Sequence, residues 1–266
     1  MRASLRKIVF PFLLLLFAAA GAQARKPETG FLDRSVTVQG TVYKFEVFVP
    51  EDWTAEKKWP VILFLHGSGE RGDDGMLQTQ VGIGRSIRFD RSRYPAVIVM
   101  PQCRKDAWWP EAEMEEVAMK ALDQSQEEFH GDPQRIYVTG LSMGGYGAWH
   151  LAGRYPGKFA AIVPICGGIL PPHSEGDGGK QDDKPYVDAA KKIGSGTPVW
   201  IFHGGDDDTV PVTESRRMAE AMKALGGEVH YTEYPGVGHD SWNKAYAEPE
   251  LIPWMLSKTL AVAKTK

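Results

Sequence analysis

The sequence predicts an α/β protein with a mostly parallel central sheet, an N-terminal antiparallel hairpin and helices on both faces. Short continuous apolar runs, typical of strands buried on both faces, recur along the chain. Segments with apolar residues at helical spacing separate these runs, and such alternation implies right-handed crossovers between parallel strands. Two stretches near the start instead alternate apolar with polar residues, as in a hairpin with one face in water.

The elements follow in chain order. The hairpin strands are predicted at residues 36–38 and 42–49, on either side of Gln39 and Gly40. The remaining strands are predicted at residues 61–65, 96–100, 136–139, 161–165, 199–202 and 229–234. The helices are predicted at residues 111–129, 142–155, 212–225 and 248–260.

The N-terminus has the pattern of a secretory signal peptide over residues 1–24. Basic side chains at Arg2, Arg6 and Lys7 precede an apolar run, and Ala22 and Ala24 supply small residues at the cleavage positions. The run is shorter than the roughly 20 residues that a membrane-spanning helix needs. We therefore expect export to the periplasm or the extracellular space, with no stable membrane anchor.

Residues 25–266 are predicted to form a single α/β domain, because about 240 residues suit one domain of this class. The formal net charge of -3 and the 24% charged residues give no sign of a nucleic-acid or membrane-surface partner. Residues 171–184 are rich in Gly, Asp and Pro, which predicts a polar surface insertion. A lid is the alternative for this segment, but it lacks the apolar face with which a lid closes.

Cys103 and Cys166 each follow a predicted strand, so both should lie at the same edge of the sheet. An oxidising compartment permits a disulfide. Pairing requires Cα atoms within about 7 Å, which the sequence does not determine. The sequence favours two unpaired, buried cysteines.

A candidate nucleophile, Ser142, lies in the pattern Gly140-Leu141-Ser142-Met143-Gly144 between a predicted strand and a predicted helix. This is the strand-turn-helix context of the G-x-S-x-G nucleophile elbow. A Cβ atom at Gly140 or Gly144 would collide with the adjoining strand or helix. The alternative is a glycine-rich turn without chemistry, since five-residue patterns also arise by chance.

A serine nucleophile needs a histidine base and a carboxylate, which follow it in the chain order Ser, acid, His. His239 is the candidate base, because it lies in a glycine-containing loop just past a strand. His150, His173, His203 and His230 are better explained as surface or packing residues. The acid should follow the strand at residues 199–202, where Asp206, Asp207 and Asp208 are all available. A calcium site would need ligands at alternating positions, so neither a metal nor a cofactor is predicted.

An oxyanion hole is predicted from two backbone amides. The amide of Met143, the residue after the nucleophile, is the first donor, and the positive end of the following helix reinforces it. The second donor is expected at Ser68 or Gly69, in the loop after the strand at residues 61–65. A phosphate-binding loop is the rival explanation, but the lysine and hydroxyl of a nucleotide site are missing.

Three tryptophans follow strand ends and are candidate substrate-binding residues: Trp108, Trp109 and Trp242. Indole rings at such positions could stack on a sugar or an aromatic ring, although core packing is the alternative for each. Arg71 or Arg104 could hold an anionic group.

These pieces resemble the α/β-hydrolase superfamily, in particular the bacterial esterase branch related to feruloyl esterases and to the prolyl oligopeptidase catalytic domain. The resemblance rests on residues 65–72, 101–103, 132–145 and 234–239. The acid turn of the superfamily, H-G-x-x-D-x-x-V-P, maps onto residues 203–211, and it implies that Asp207 is the acid and that Asp206 and Asp208 are bystanders. Prolyl oligopeptidases carry a propeller before the hydrolase domain, whereas a hairpin precedes it here, which disfavours peptidase activity.

The leading hypothesis is a secreted serine carboxylesterase that works through an acyl-enzyme intermediate. The tryptophans favour esters with an aromatic or carbohydrate-linked acyl group, such as feruloyl or acetyl esters. A serine peptidase on short peptides is one alternative. A non-catalytic binding protein on a hydrolase scaffold is another, but such proteins usually lose a triad member, and all three are available here.

Overall fold

The structure, a computed structural model, describes residues 28–170 and 182–260. The predicted signal peptide at residues 1–24 lies outside the described residues. So does most of the predicted polar insertion at residues 171–184, of which residues 182–184 are described.

One eight-stranded sheet organises the described residues. Its strands are Gly30–Val38 (β1), Thr41–Val49 (β2), Trp59–Leu65 (β3), Val97–Pro101 (β4), Gly131–Leu141 (β5), Ala161–Ile165 (β6), Val199–Gly204 (β7) and Val229–Tyr234 (β8). Their order across the sheet is β1-β2-β4-β3-β5-β6-β7-β8. The pairs β1/β2 and β2/β4 are antiparallel and every other pair is parallel, which confirms the predicted hairpin and mostly parallel sheet.

Helices cover both faces of the sheet, as predicted. They are Gly82–Phe89 (α1), Ala112–Glu128 (α2), Met143–Arg154 (α3), Lys184–Ile193 (α4), Val212–Ala224 (α5), Trp242–Ala245 (α6) and Leu251–Leu256 (α7). Apolar side chains of α2, α3, α4 and α5 form the core on one face, and those of α1, α6 and α7 form the core on the other. The strands between the two cores, such as β3 and β4, are buried at every residue, which explains their continuous apolar sequence.

Three helices were not predicted: α1, α4 and the four-residue α6. The first turn of α1 contains Gly82 and Gly84, which lower helix propensity and hide the helical signal. Tertiary packing explains these glycines, because a Cβ atom on Gly84 would lie 2.5 Å from the carbonyl oxygen of Thr79. Helix α4 begins at Lys184, so the predicted polar insertion ran one residue too far.

The C-terminal helix is shorter than the predicted span of residues 248–260. It ends at Leu256 because the residues that follow bond to the N-terminal part of β5 instead of continuing the helix. The hydroxyl of Tyr137 donates to the carbonyl of Lys258 at 2.8 Å, and the amide of Leu260 donates to the carbonyl of Gln134 at 2.9 Å.

Because strands β3 to β8 are parallel, the loops that carry the candidate site residues lie at one edge of the sheet, at the carboxyl ends of these strands. Cys103 follows β4 and Cys166 follows β6, and both are buried and free of a disulfide. Among the described residues, the helices are all too short or too polar to cross a membrane.

Candidate active site

Ser142 lies on a sharp turn between β5 and α3. Its φ of 52° and ψ of -120° are strained for a residue with a side chain. The turn is possible because its flanking glycines leave room: a Cβ atom on Gly144 would overlap the carbonyl oxygen of Leu65, and one on Gly140 would overlap that of Gly144. This is the steric reason that the sequence suggested for both glycines.

The structure brings together three side chains that are far apart in the sequence. Ser142 follows β5, Asp207 follows β7 and His239 follows β8. The Nε2 atom of His239 lies 2.8 Å from Oγ of Ser142, and its Nδ1 atom lies 2.8 Å from Oδ2 of Asp207. The carboxylate fixes the proton on Nδ1, which leaves the lone pair of Nε2 facing the serine hydroxyl.

The geometry distinguishes Asp207 from its two neighbours. The side chain of Asp207 is fully buried, whereas Asp206 and Asp208 are exposed. Burial of Asp207 disfavours the charged form. Hydrogen bonds from His203 and His239, and from the amides of Val210 and Thr209, outweigh that effect and hold the pKa of the Asp207 carboxyl well below its usual value. Asp207 is therefore ionised whenever the protein is folded at neutral pH.

His203 supports this carboxylate from within the turn, where the sequence placed it as a structural residue. Its Nε2 atom lies 3.0 Å from the carbonyl oxygen of Val210 and 3.2 Å from Oδ2 of Asp207. Both partners are acceptors, so Nε2 carries the proton, and Nδ1 accepts from the hydroxyl of Ser215 at 2.7 Å. The sequence did not reveal the bond to α5 through Ser215.

The predicted oxyanion donors lie on either side of Ser142. Met143 is the first residue of α3, so its amide has no acceptor in an earlier helical turn. On the other side, the Cβ position of Gly67 lies 3.6 Å from Cβ of Ser142, which shows how closely the loop of residues 66–72 approaches the serine. Ser68 and Gly69 follow directly in a 3₁₀ turn, Ser68–Glu70, whose first amides are likewise without earlier acceptors.

His66 braces this loop, a role that the sequence reasoning missed. Its Nε2 atom accepts from the amide of Cys103 at 2.9 Å, so Nδ1 carries the proton and donates to the carbonyl of Gly67 at 2.6 Å. Burial lowers the pKa of His66 to about 4, which keeps the ring neutral at pH 7. The sequence feature that could have indicated this role is a His-Gly pair directly after a buried strand.

The three candidate tryptophans have different environments. Trp109 is 1% exposed and its indole N–H donates to the carbonyl of His66 at 3.0 Å, so it has no free ring face for a substrate. Trp108 is partly exposed and meets Tyr146 edge-on. Trp242 is also partly exposed, and its ring lies 5.5 Å from that of His239, at 90° to it. Core packing thus explains Trp109, whereas Trp108 and Trp242 keep accessible surface.

Glu214 is a second residue that sequence reasoning missed. It lies in the first turn of α5 and is 2% exposed. Its Oε2 atom accepts from the amides of Ile169 and Leu170, at 2.6 and 3.2 Å, and Tyr186 donates its hydroxyl to Oε1. These bonds fix the chain that leaves β6 beside the serine. A lone glutamate in an amphipathic helix gives no sign of this role in sequence.

The two arginines that the sequence suggested for an anionic group have different partners in the structure. Arg71 donates to the carbonyls of Ser68 and Ala107, at 3.0 and 3.4 Å. Arg104 pairs with Glu113 at 2.8 Å.

The other candidate histidines lie away from Ser142 or outside the description. His150 bonds to Glu115 at 2.7 Å, and His230 packs against Trp200 and Trp254. His173 lies outside the described residues.

In the part of the chain that the structure describes, Cys166, Asp207 and His239 have ligand-type atoms within 4.8 Å of one another. The donor set does not suit a metal ion. Asp207 and His239 are bonded to each other, and burial raises the pKa of the Cys166 thiol far above its usual value, whereas a metal needs the thiolate.

Comparisons with known proteins point to esterases. A family model described as "Putative esterase" matches residues 36–253. A solved structure described as a thermostable esterase is 33% identical, with a TM-score of 0.73 over 86% of this chain and 63% of its own. Two curated relatives are acyl-protein thioesterase 1 of Gibberella zeae, 30% identical over 41% of this chain, and an uncharacterized secreted protein of Arthroderma benhamiae, 28% identical over 68%. The chain spans 43% and 21% of the lengths of these two relatives.

Proposed function

Because the chain belongs to the esterase family and has the α/β-hydrolase fold, we propose that it is a serine carboxylesterase that works through an acyl-enzyme intermediate. The observation that carries the proposal is the hydrogen-bonded chain from Ser142 through His239 to Asp207, with both distances at 2.8 Å. A nucleophile, a base and an orienting carboxylate in this geometry are what acyl transfer requires.

In the first half-reaction, Oγ of Ser142 attacks the ester carbonyl carbon while Nε2 of His239 takes the hydroxyl proton. The ester C=O becomes an oxyanion, which receives hydrogen bonds from the amides of Met143 and of Ser68 or Gly69. Ser68 is the better second donor, because it directly follows Gly67, where the loop touches Ser142. The intermediate collapses as His239 gives its proton to the leaving alcohol oxygen, and the acyl group stays on Ser142.

Water completes the cycle. His239 takes a proton from a water molecule, which attacks the acyl carbon. The second tetrahedral intermediate collapses as His239 returns this proton to Oγ of Ser142, which releases the free acid. Ionised Asp207 stabilises the imidazolium of His239 in both half-reactions. The strain at Ser142 keeps its hydroxyl clear of the strand and the helix, so that a carbonyl can approach it.

The substrates are proposed to be small-molecule or saccharide-linked carboxylic esters with an aromatic or carbohydrate-linked acyl group, such as feruloyl or acetyl esters. The partly exposed rings of Trp108 and Trp242 support this class, since both offer indole surface and the ring of Trp242 lies 5.5 Å from that of His239.

Export is also part of the proposal. The pattern of residues 1–24 supports it, and one similar protein is named as secreted. N-terminal sequencing of the product from an exporting host should find a mature chain that starts near Arg25. An intact Met1 on protein from the cytoplasmic fraction would contradict export.

The test of the proposed activity is Ser142→Ala, assayed with 4-nitrophenyl acetate and by labelling with an alkyl fluorophosphonate. We expect kcat to fall at least about 1,000-fold and labelling to disappear. The matched control is Ser35→Ala, which changes an exposed serine on β1 at the far edge of the sheet. Undiminished hydrolysis by Ser142→Ala would refute the mechanism, and an unlabelled, inactive wild type would favour a binding protein.

A further inference from the structure

A groove between α1 and α6 lies beside the proposed catalytic residues and is not used by the mechanism above. It encloses about 330 Å³, within the usual size range of ligand pockets. We call it the α1–α6 groove; the residues that matter for it are Gly82, Arg85, Phe89, Arg93, Trp242 and Tyr246.

Two residues that line the α1–α6 groove contact His239 or the neighbour of Ser142. Trp242, one of its walls, meets the ring of His239 edge-on at 5.5 Å. Gly82, at the other wall, packs on the neighbour of the nucleophile, since its Cβ position lies 2.6 Å from Cδ2 of Leu141. A group bound in the groove can therefore belong to a molecule whose ester bond lies at Ser142.

Two aromatic side chains, Trp242 and Phe89, are among the residues that line the groove. Trp242 stands at the end near His239, and Phe89 stands at the last residue of α1, about 10 Å further along the helix axis from Gly82. Phe89 is 78% exposed, which is unusual for a large apolar side chain on a helix that buries its opposite face. Its ring and that of Trp242 offer flat surfaces to a planar group.

The groove also carries unneutralised positive charge. Arg85 is exposed, and among the described residues no carboxylate lies within ion-pair distance of it; its recorded contact is with the Phe89 ring, 5.5 Å from the centroid. Arg93 donates to the carbonyls of Tyr246 and Glu248, at 3.1 and 2.8 Å, and these neutral acceptors leave its charge in place.

One acidic residue in the described part of the groove, Asp90, opposes this charge. Its carboxylate is already held by the amide and hydroxyl of Ser92, at 3.0 and 2.5 Å. Two guanidinium groups against one engaged carboxylate leave the groove net positive. An anionic ligand group is favoured over a cationic one.

We propose that the α1–α6 groove binds the leaving-group side of the substrate, and that this leaving group is an aromatic alcohol with a carboxylate substituent. This deepens the proposed function and depends on it. His239 must deliver its proton to the leaving oxygen, so the leaving group lies against His239 and, through it, against Trp242. The aromatic ring then contacts Trp242 and Phe89, and the carboxylate pairs with the free guanidinium of Arg85.

The test uses two acetate esters that differ in one charge, phenyl acetate and 4-carboxyphenyl acetate. The ratio of their kcat/KM values is measured for the wild type, for Arg85→Gln and for Arg91→Gln. Arg91 is an exposed arginine just beyond α1 that does not line the groove, so it controls for loss of a distant positive charge. Comparing the ratio between variants cancels the intrinsic reactivity of the two esters.

We expect Arg85→Gln to lower the charged-to-neutral ratio about fivefold and Arg91→Gln to change it less than about twofold. Raising the salt concentration to 0.5 M should shrink the wild-type preference, because the guanidinium is exposed. Phe89→Ala should lower kcat/KM for both phenyl esters about threefold relative to ethyl acetate. Circular dichroism checks that each variant is folded.

An unchanged ratio in Arg85→Gln would overturn the proposed groove specificity while leaving the esterase proposal intact. A charge preference that appears instead on the acyl side, with methyl benzoate against methyl 4-carboxybenzoate, would also overturn it. A wild type that hydrolyses none of these esters would refute the esterase proposal itself, so the two failures are distinguishable.

Discussion

Nε2 of His203 lies 3.2 Å from Oδ2 of Asp207, the same oxygen that accepts from His239. Two imidazoles therefore share one buried carboxylate oxygen. His203 helps to hold the pKa of Asp207 down and to fix the carboxylate beside His239.

Replacing His203 by Gln should reduce kcat about tenfold, because Asp207 loses a donor and its fixed orientation. The lowered pKa of Asp207 stabilises the fold above the usual carboxyl pKa, and this stabilisation is lost as pH falls through the folded-state value. In His203→Gln the pKa of Asp207 rises toward its usual value, so the stabilisation above that value is smaller and less of it is lost as pH falls than in the wild type. Thermal unfolding between pH 7 and pH 2 measures this. His150→Gln, a change at a histidine bonded to Glu115, is the control for activity and should leave kcat unchanged.

Among the three consecutive aspartates, only Asp207→Asn should abolish most of the activity. We expect kcat to fall about 1,000- to 10,000-fold, because an amide can hold Nδ1 of His239 in the wrong tautomer and cannot stabilise the imidazolium. Asp206→Asn and Asp208→Asn are the matched controls, since both side chains are exposed. Steady-state assays with 4-nitrophenyl acetate measure kcat for the three variants. A similarly large loss of kcat in the Asp206 or Asp208 variant would contradict the proposal that Asp207 is the acid.

His66→Ala should lower kcat about 100-fold while KM changes little. Without the ring, the carbonyl of Gly67 and the amide of Cys103 lose their bridge, and the loop that carries Ser68 is no longer held against Ser142. His230→Ala, a half-exposed histidine on β8, is the control. If His66→Ala does not fold and its Ser142 is not labelled, His66→Gln is assayed in its place, because its side-chain amide can retain one of the two hydrogen bonds. Equal activity in all of these variants would disprove the bracing role.

Glu46 should make the fold less stable as pH rises. It faces Asp33 across β1 and β2 and is 8% exposed. Burial, with Asp33 adding to it, raises the pKa of Glu46 to about 8. The unfolded chain releases this proton near pH 4.5 and the folded chain near pH 8, so the stabilisation that Glu46 contributes is fully present below pH 4.5 and is lost as pH rises through that interval.

Urea unfolding at pH 5 and pH 8.5 measures this effect. We expect the wild type to lose about 1–3 kcal/mol of its free energy of unfolding over this range, and Glu46→Gln to lose markedly less. Glu127→Gln, an exposed residue of α2, is the control and should follow the wild type. Parallel curves for the wild type and Glu46→Gln would show that Glu46 does not hold its proton.

Much of the fold follows from local sequence patterns. The apolar run at residues 161–165 coincides with an observed strand, β6, whereas β1 begins six residues and β5 five residues before the predicted start. The places where prediction failed are governed by packing between distant segments. Gly82 and Gly84 weaken the helical signal of α1, yet they are what lets α1 lie against Leu141 and Thr79.

The sequence by itself determined which reactive groups are available. They are a serine flanked by glycines at positions where a Cβ atom would collide, a histidine past the last strand, and three candidate acids in one turn. Only the tertiary structure distinguished between residues of the same type whose local sequence does not tell them apart, namely the aspartates and the tryptophans. It buries Asp207 against His239 and exposes its neighbours, buries Trp109 and leaves Trp242 beside His239. The reason is physical, because burial and hydrogen-bond partners depend on which strand ends meet, and the side chains that meet here, Ser142 and His239, are 97 residues apart in the chain.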